Sequence, residues 1–354
     1  MNRIDKIRQA MAGAEFGALM LSSPVNRLYA TGFESSDGIL LITADNAFFF
    51  TDSRYIEAAE AEISGASIRL VTKDAPYAEQ LQALFEELRI ASVGFEDGAV
   101  TYAEYLDWSE KLSVELKPAQ QLMKELRAVK SADDLALMIK AQRISEFSFE
   151  QLLPLISKNI TEKQLATELV YLFMKNGADD KSFDPIVVSG EKSSLPHGVP
   201  GDRKISDGFL TIDFGVKLGG WCSDTTRTVC IGKPTDEMVK VYDTVLKAQL
   251  AGIAAARAGI PGCDIDAAAR AVIEAAGFSD YFGHGFGHSL GLEVHEPPRA
   301  SQTYTEDIPA GAVISAEPGI YLPGRFGVRI EDVIFITENG CENITKLPKE
   351  LLVL

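Results

Sequence analysis

The sequence predicts two domains, a small α/β domain followed by a larger α+β domain. The chain has 354 residues, and at about 150 residues per domain this length suggests two domains. Residues up to about 118 alternate short apolar runs with helical patterns, whereas the rest of the chain interleaves capped helices with hairpin patterns. Pro118 blocks helix propagation and favours an extended conformation at the residue before it. We therefore place the domains at residues 1–120 and 121–354.

The first domain is predicted to alternate strands and helices. The predicted strands are short, apolar and bounded by turn-forming residues, and they cover residues 17–21, 39–43, 47–51, 68–71 and 91–95. The predicted helices have apolar residues at a spacing of about 3.6 residues, and they cover residues 55–63, 78–89 and 103–111. This alternation is typical of an α/β domain with crossover connections.

The second domain is predicted from its helix ends and turn residues. Ser131 is a candidate N-cap for a helix that reaches about Leu153. Thr161 and Gln164 form a capping box, and Gly177 ends that helix. Helices grouped around antiparallel hairpins predict an α+β arrangement. The further helices cover residues 236–258 and 264–276, and the hairpins cover residues 209–231 and 312–336.

The composition excludes several classes of partner. The formal net charge is −17, which disfavours binding to nucleic acid or to an anionic membrane surface. The sequence lacks an apolar run of about 18 residues, which a membrane span needs, and its start lacks the apolar segment of a secretory signal. The four cysteines include no C-x-x-C pair. These features predict a cytoplasmic protein without a disulfide framework.

Two predicted hairpins each present a pair of acidic residues. If the first hairpin turns about Leu218 and Gly219, Asp213 faces Asp224. Glu317 and Glu331 are symmetric about Gly324, which lies in the turn-forming stretch Pro-Gly-Arg. Facing like charges destabilise an antiparallel pair of strands. Two such pairs in one domain therefore predict a bound cation.

Histidines and glycines cluster between the two acidic pairs. His284 and His288 lie in a Gly-His-Gly-Phe-Gly-His run, and His295 follows seven residues after His288. Glycine-rich segments of this kind disfavour a helix interior. Four carboxylates and one imidazole form an oxygen-rich donor set whose charge two divalent cations would neutralise. Oxygen donors favour Mg, Mn or Ca, and a nitrogen donor favours Mn, Fe, Co or Zn. The residues thus predict a dinuclear hydrolase.

These motifs resemble those of the pita-bread metallopeptidases, and more narrowly those of the aminopeptidase P and prolidase branch. The resemblance lies in Ile-Asp-Phe-Gly at Asp213, Ser-Asp-Thr-Thr-Arg-Thr at Asp224, the glycine-rich run that ends at His288, Ala-Glu-Pro-Gly-Ile-Tyr at Glu317 and Arg-Ile-Glu-Asp at Glu331. The stretch Thr-Asp-Ser-Arg-Tyr at residues 51–55 is similar to the amino-terminal domain of that branch. The resemblance implies a creatinase/prolidase-like α/β domain followed by an α+β pita-bread catalytic domain.

The same resemblance implies a set of metal ligands. Asp213 would bind one metal ion, Asp224 and Glu331 would bridge both ions, and His288 and Glu317 would complete the second ion. The two ions are expected to be Mn, with Co, Zn or Fe as alternatives. Glu317 would also act as the general base.

Four further residues are implied in catalysis or substrate binding. His295 would contact the scissile carbonyl and assist proton transfer, and His197 would lie beside the substrate amine or carbonyl. His284 and Arg329 would orient the ligands, although each could instead be an ordinary structural residue. The substrate would be a short peptide with proline in the second position, whose prolyl nitrogen carries no hydrogen.

Two activities within the branch remain open. Arg299 resembles an arginine that binds the free carboxylate of prolidase substrates, and the planar guanidinium suits that role. Similar arginines occur in short aminopeptidases, and we favour release of the first residue from longer Xaa-Pro peptides over cleavage of Xaa-Pro dipeptides. A non-catalytic peptide-binding relative of the fold is the alternative from another class. The branch also implies a homodimer.

Overall fold

The computed structural model describes residues 2–354, and the chain divides into two compact units, residues up to Arg127 and Ala128–Leu354. The first unit alternates helices and strands, as the sequence predicts. Its elements are α1 (Arg3–Met11), β1 (Ala18–Leu21), α2 (Pro24–Thr31), β2 (Ile39–Thr43), β3 (Ala47–Thr51), α3 (Ile56–Glu62), β4 (Ser67–Leu70), α4 (Tyr77–Glu87), β5 (Ser92–Phe95), α5 (Tyr102–Lys111), β6 (Glu115–Pro118) and α6 (Gln120–Ala128).

The strands of the first unit form one mixed sheet in the order β4-β3-β2-β1-β5-β6. The pairs β1–β2 and β2–β3 are antiparallel, and the pairs β3–β4, β1–β5 and β5–β6 are parallel. Every strand and helix predicted in this region is confirmed to within two residues at each end. Helices α1, α2 and α6 and strand β6 are not among the elements predicted from the sequence.

Helix α6 lies at the division between the two units. The hydroxyl of Tyr29 donates a hydrogen bond to the carbonyl of Leu126 (3.2 Å), and Arg127 donates to the side chain of Asn26 (3.1 Å). These bonds attach the helix to the first unit. The predicted boundary at residues 120 and 121 precedes this helix, whereas the compact units separate after it.

The second unit combines four helices with four small sheets. The sheet orders are β12-β9-β8, β11-β10-β7, β14-β13-β15-β18-β19 and β16-β17. The elements are α7 (Ala132–Leu152), α8 (Glu162–Lys175), β7 (Asp180–Lys181), β8 (Ile186–Ser189), β9 (Gly208–Phe214), β10 (Val216–Leu218), β11 (Trp221–Cys222), β12 (Thr225–Ile231), α9 (Asp236–Ala255), α10 (Gly262–Ala275), β13 (Gly287–Ser289), β14 (Glu296–Ala300), β15 (Val313–Ala316), β16 (Gly319–Leu322), β17 (Phe326–Arg329), β18 (Asp332–Thr337) and β19 (Gly340–Asn343).

The helix ends follow the caps that the sequence predicts. Ser131 and Asp134 form a capping box at the start of α7, and Thr161 and Gln164 form one at the start of α8. The buried faces of α7 and α8 pack against β8, β9 and β12, and α9 and α10 pack beneath β15–β18. Among residues 2–354, none of the helices combines the length and apolar character needed to cross a bilayer.

The pairing of the first hairpin corrects one prediction. Asp213 is opposite Thr226, so it does not face Asp224 as the sequence analysis predicted. Leu218 pairs with Trp221, which makes Gly219 and Gly220 the two turn residues, and both have positive φ (57° and 80°). Two-residue turns of this kind need positive φ at both positions. The turn is therefore centred one residue later than predicted.

The register of the second hairpin is confirmed. Ala316 pairs with Asp332, and Gly319 pairs with Arg329. Glu317 and Glu331 lie opposite each other in the gap between these two paired segments, as their symmetry about Gly324 predicts. Both residues therefore lie where the chain passes between the five-stranded sheet of β15 and β18 and the two-stranded sheet of β16 and β17.

Candidate metal centre

The five predicted metal ligands line one cavity in the second unit. The cavity has a volume of about 530 Å³, which is in the usual range for small-ligand sites. Its predicted ligands come from different elements: Asp213 from β9, Asp224 from the residue before β12, His288 from β13, and Glu317 and Glu331 from the two sides of the second hairpin.

Three of these residues form a compact donor cluster. Asp224, His288 and Glu331 each offer one ligand atom, and these atoms all lie within 4.8 Å of one another. Nε2 of His288 lies 3.8 Å from Oδ2 of Asp224 and 3.1 Å from Oε1 of Glu317. Nδ1 of the same ring is 3.2 Å from the carbonyl of Ser289. A bond to that carbonyl orients the ring so that Nε2 faces the carboxylates.

Asp213 adds an orphaned acceptor to the cluster. Its Oδ2 accepts a hydrogen bond from Arg329 (2.6 Å), whereas its Oδ1 is buried and has no hydrogen-bond partner among residues 2–354. Buried polar atoms are nearly always paired in proteins. An unpaired carboxylate oxygen beside other carboxylates fits a site for a cation, so the residues present are compatible with bound metal.

The carboxylates of the cluster repel one another strongly. Burial, and then the charge of Glu331, raises the pKa of Asp224 well above its usual range. Burial, and then the charge of Glu317, raises the pKa of Glu331 in the same way. Burial also raises the pKa of Asp213 despite the adjacent Arg329. Cations bound among these groups would offset this repulsion.

The pKa of Glu317 is lowered and not raised, because this carboxylate pairs with a histidine. Burial alone would raise its pKa, but the hydrogen bond with His288 and the charge of that ring lower the pKa of Glu317 to about 2. Burial alone would lower the pKa of His288, but Glu317 raises it. Oε1 of Glu317 also accepts from the hydroxyl of Ser315 (3.0 Å).

Two hydroxyl groups that were not predicted from the sequence support the predicted ligands. The hydroxyl of Thr226 donates to Oε2 of Glu331 (2.7 Å) and accepts from Nε of Arg329 (2.9 Å). Ser315 supports Glu317 as described above. The predicted register gave no signal for Thr226, because Thr226 stands opposite Asp213 only in the observed register.

A chain of hydrogen bonds links Arg329 to His284 through Tyr321, which the sequence analysis also missed. Arg329 donates to the hydroxyl oxygen of Tyr321 (2.9 Å), and that hydroxyl lies 2.9 Å from Nε2 of His284. Nδ1 of His284 lies 2.9 Å from the carbonyl of Gly285. Nδ1 therefore carries the proton and Tyr321 donates to Nε2. Burial lowers the pKa of His284, which agrees with this neutral ring.

The remaining predicted residues lie at the open side of the same cavity. His295 packs edge-on against His288 with ring centroids 4.3 Å apart, and burial lowers the pKa of His295. Arg299 is exposed and stands opposite His288 in the β13–β14 pair. His197 is exposed on the loop before β9, and the neighbouring carbonyl of Pro196 accepts from Arg329 (3.1 Å). The structure thus brings all the predicted site residues to one cavity.

Comparison with known proteins identifies matches over nearly the whole chain. Residues 136–338 match Metallopeptidase family M24, and residues 3–129 match the Creatinase/Prolidase N-terminal domain. An uncharacterized peptidase of Bacillus subtilis is 40% identical over 99% of this chain and 100% of its own length.

Two solved structures are similar throughout. The Xaa-Pro dipeptidase from Bacillus anthracis is 37% identical, with a TM-score of 0.96 and 99% of both chains covered. The X-Pro aminopeptidase from Thermotoga maritima is 33% identical, with a TM-score of 0.92, 98% of this chain and 100% of that chain covered. These matches confirm the predicted two-domain pita-bread fold. The chain belongs to metallopeptidase family M24, and it is a metal-dependent hydrolase with a creatinase/prolidase-like amino-terminal domain.

Proposed function

We propose that this protein hydrolyses the Xaa-Pro bond of dipeptides, with two divalent metal ions at the cavity of the second unit. One observation carries the proposal: four acidic side chains and His288 converge there, and one buried carboxylate oxygen of Asp213 has no partner among residues 2–354. An arrangement of this kind is costly without cations.

Five residues would hold the metal. We assign Asp213 to one ion, Asp224 and Glu331 to both, and His288 and Glu317 to the second ion. Carboxylates with a single imidazole suit Mn, and Co, Zn or Fe are the alternatives. When bound, such a pair of ions polarises a carbonyl group and lowers the pKa of water.

The chain's own residues would then handle protons and the substrate. Glu317 is ionised in the metal-free protein, where the hydrogen bond and the charge of His288 lower its pKa. Its carboxylate would accept a proton from the attacking water. Partial burial lowers the pKa of His295 and so favours its neutral ring, which can donate a hydrogen bond to the scissile carbonyl. His197 also lines the cavity, where it can contact the substrate amine or carbonyl.

Arg299 supports cleavage of dipeptides. Its guanidinium lies at the exposed side of the cavity, opposite His288 in the strand pair. A dipeptide places its carboxylate one residue beyond the scissile bond, where a bidentate arginine would bind it. The similarity to the Bacillus anthracis dipeptidase also favours this activity, in place of the aminopeptidase activity that we favoured from the sequence.

An Xaa-Pro aminopeptidase acting on longer peptides is the second candidate. The similarity to the Thermotoga maritima aminopeptidase supports it. The resemblance to the pita-bread branch also leads us to propose a homodimer, which light scattering of the purified protein would test.

A peptide-length series tests the proposal. We expect Xaa-Pro to be cleaved and Xaa-Pro-Yaa with the same first residue to be cleaved at least tenfold less efficiently, with metal content measured on the same preparation. Arg299→Ala should lower kcat/KM for Xaa-Pro by about 10-fold or more, since a charge-assisted hydrogen bond is lost. Xaa-Pro amide, which lacks the carboxylate, is the matched control, and the variant's kcat/KM for it should fall only slightly.

Three outcomes would contradict the proposal. Equal cleavage of Xaa-Pro-Yaa would favour the aminopeptidase. If Arg299→Ala lowers kcat/KM equally for Xaa-Pro and for Xaa-Pro amide, Arg299 does not bind the substrate carboxylate. Binding of peptides by the metal-loaded protein without hydrolysis would favour a non-catalytic relative.

A further inference from the structure

A buried ion pair contacts the β13–β14 hairpin, which carries His288 and His295 of the cavity. The side chains of Lys130 and Glu296 are 0% and 2% exposed, and Nζ of Lys130 lies 3.3 Å from Oε2 of Glu296. The same ammonium lies 3.5 Å from Oγ of Ser289. The backbone N–H of Lys130 donates to the carbonyl of Gly311 (2.9 Å), which fixes the position of this lysine.

The two groups that Lys130 contacts are the immediate neighbours of two site histidines. Ser289 follows His288 in the chain, and its carbonyl accepts from Nδ1 of His288 (3.2 Å). Glu296 follows His295. One ammonium therefore fixes both strands of the β13–β14 hairpin at the positions where they present these rings to the cavity.

Glu296 also shapes the connection between the two strands. Its Oε1 accepts from the backbone N–H of Glu293 (2.9 Å). At Gly291 a Cβ atom would lie only 2.8 Å from Oε2 of Glu296, so the carboxylate occupies the space that a side chain would need. The carboxylate thus lies inside the loop that leads to His295.

Stability alone is a poor explanation for this pair. Desolvation of two charges often outweighs their attraction, and apolar residues of similar size can replace a buried pair at little cost. An ion pair retains something that apolar residues lack, namely directed hydrogen bonds to Ser289 and to the backbone of Glu293. The first holds the residue whose carbonyl accepts from His288, and the second holds the loop that leads to His295.

We propose that Lys130 and Glu296 are positioning residues that hold His288 and His295 in register for the peptidase reaction. This proposal rests on the proposed function for its kinetic consequence, but its structural consequence is independent of that function. Groups that orient metal ligands typically change metal affinity or activity by 10- to 100-fold.

The test uses the full-length double variant Lys130→Met/Glu296→Met. Lys130→Met alone would remove the ammonium from a buried carboxylate, which strongly destabilises proteins, whereas the double variant replaces both charges. We expect it to remain folded, with kcat for the Xaa-Pro substrate lowered by about 10-fold or more and KM changed by less than about threefold. Lys130→Arg, which keeps a cationic donor, should have a higher kcat than the double variant.

Imidazole NMR of the metal-free protein gives a readout that does not depend on activity. The chain contains four histidines, so single substitutions can assign each ring signal. We expect the double variant to shift the signals of His288 and His295 and to leave those of His197 and His284 in place.

A core variant separates positioning from general destabilisation. Leu169 is fully buried in the helical core beneath β9, and Leu169→Ala should lower the melting temperature without lowering kcat. Unchanged kcat and unchanged His288 and His295 signals in the double variant would overturn the proposal, and so would equal shifts of all four rings. If the unsubstituted protein cleaves no Xaa-Pro peptide, the proposed function fails while the NMR comparison still decides the role of Lys130.

Discussion

At the scale of single residues, Tyr321 determines the protonation of the groups around it. Arg329 can only donate, so the tyrosine oxygen accepts from it and the tyrosine hydrogen points to Nε2 of His284. Burial raises the pKa of Tyr321 to about 12, although Arg329 acts in the opposite direction. The hydroxyl therefore stays protonated across the neutral range, and the neutral His284 is held in one tautomer.

Tyr321→Phe should weaken this arrangement while retaining the ring. We expect a loss of about 1–2 kcal/mol in the free energy of unfolding, because Arg329 and His284 both lose a buried partner. We also expect kcat to fall about tenfold, because Arg329 no longer holds Asp213 in one orientation. Tyr242→Phe is the matched control, since Tyr242 is also buried and its hydroxyl donates to the carbonyl of Lys349 (2.8 Å) away from the cavity. Denaturant unfolding and steady-state kinetics provide the comparison, and equal kinetic losses in both variants would contradict this role.

The sequence predicts the charged and imidazole groups of the site better than the hydroxyls that support them. The acidic pairs of the two predicted hairpins can be recognised from a single sequence, because facing like charges would destabilise each hairpin without a cation. Tyr321 lies in an apolar strand and has the pattern of a core residue. Its room depends on Gly319 and Gly327, where a Cβ atom would lie 2.5 Å and 2.8 Å from atoms of Tyr321. Gly327 comes next to Tyr321 only when β16 and β17 pair, so this packing requirement is not apparent from the sequence.

At the scale of elements, the helices are predicted well because their signals are local. The capping boxes at Ser131 and Thr161 are each contained in four residues. Hairpin register is less local, since it depends on which two residues form the turn. Placing the turn at Gly219 and Gly220 moves Asp213 opposite Thr226. Asp213 and Asp224 still reach one cavity, but through strand ends and not as a facing pair.

Gly219→Ala should test the conformation of that turn. Gly219 has φ of 57°, and its Cβ would make only ordinary contacts with Leu137. The cost should therefore come from the left-handed backbone, and we expect about 1 kcal/mol of lost unfolding free energy. Gly219→Asn is the matched control, because asparagine tolerates this conformation better. If urea unfolding gives the two variants the same stability, the left-handed turn is not what requires glycine.

At the scale of the whole molecule, acidic charge is both abundant and concentrated. The net charge is −17, and the raised pKa values of Asp224 and Glu331 reflect burial beside other carboxylates. A carboxyl group with a raised pKa in the folded state binds protons more tightly there than in the unfolded chain. Its contribution to stability is complete below the unfolded pKa of about 4 and is lost as the pH rises through the folded value. These groups should therefore lower the stability of the metal-free protein at neutral and alkaline pH.

Asp224→Asn isolates this effect because other titrating groups are common to both proteins. His284 and His295, whose pKa values are lowered by burial, favour the folded state as the pH rises, and this contribution cancels in the difference. We expect the metal-free variant to melt higher than the metal-free parent at pH 8, by about 2–4 °C for each kcal/mol of repulsion removed. This difference should shrink toward pH 5.

Added Mn²⁺ should reverse the order of the two melting temperatures, because ligand binding to the folded state raises the parent's melting temperature and the variant lacks one ligand. Asp202→Asn, at an exposed position, is the control for loss of a carboxylate outside the cavity and should have the melting temperature of the parent at pH 8. A metal-free Asp224→Asn protein that melts below the parent at pH 8 would mean that the Asp224 carboxylate stabilises the fold without metal. The converging carboxylates would then be a structural network and not a cation site.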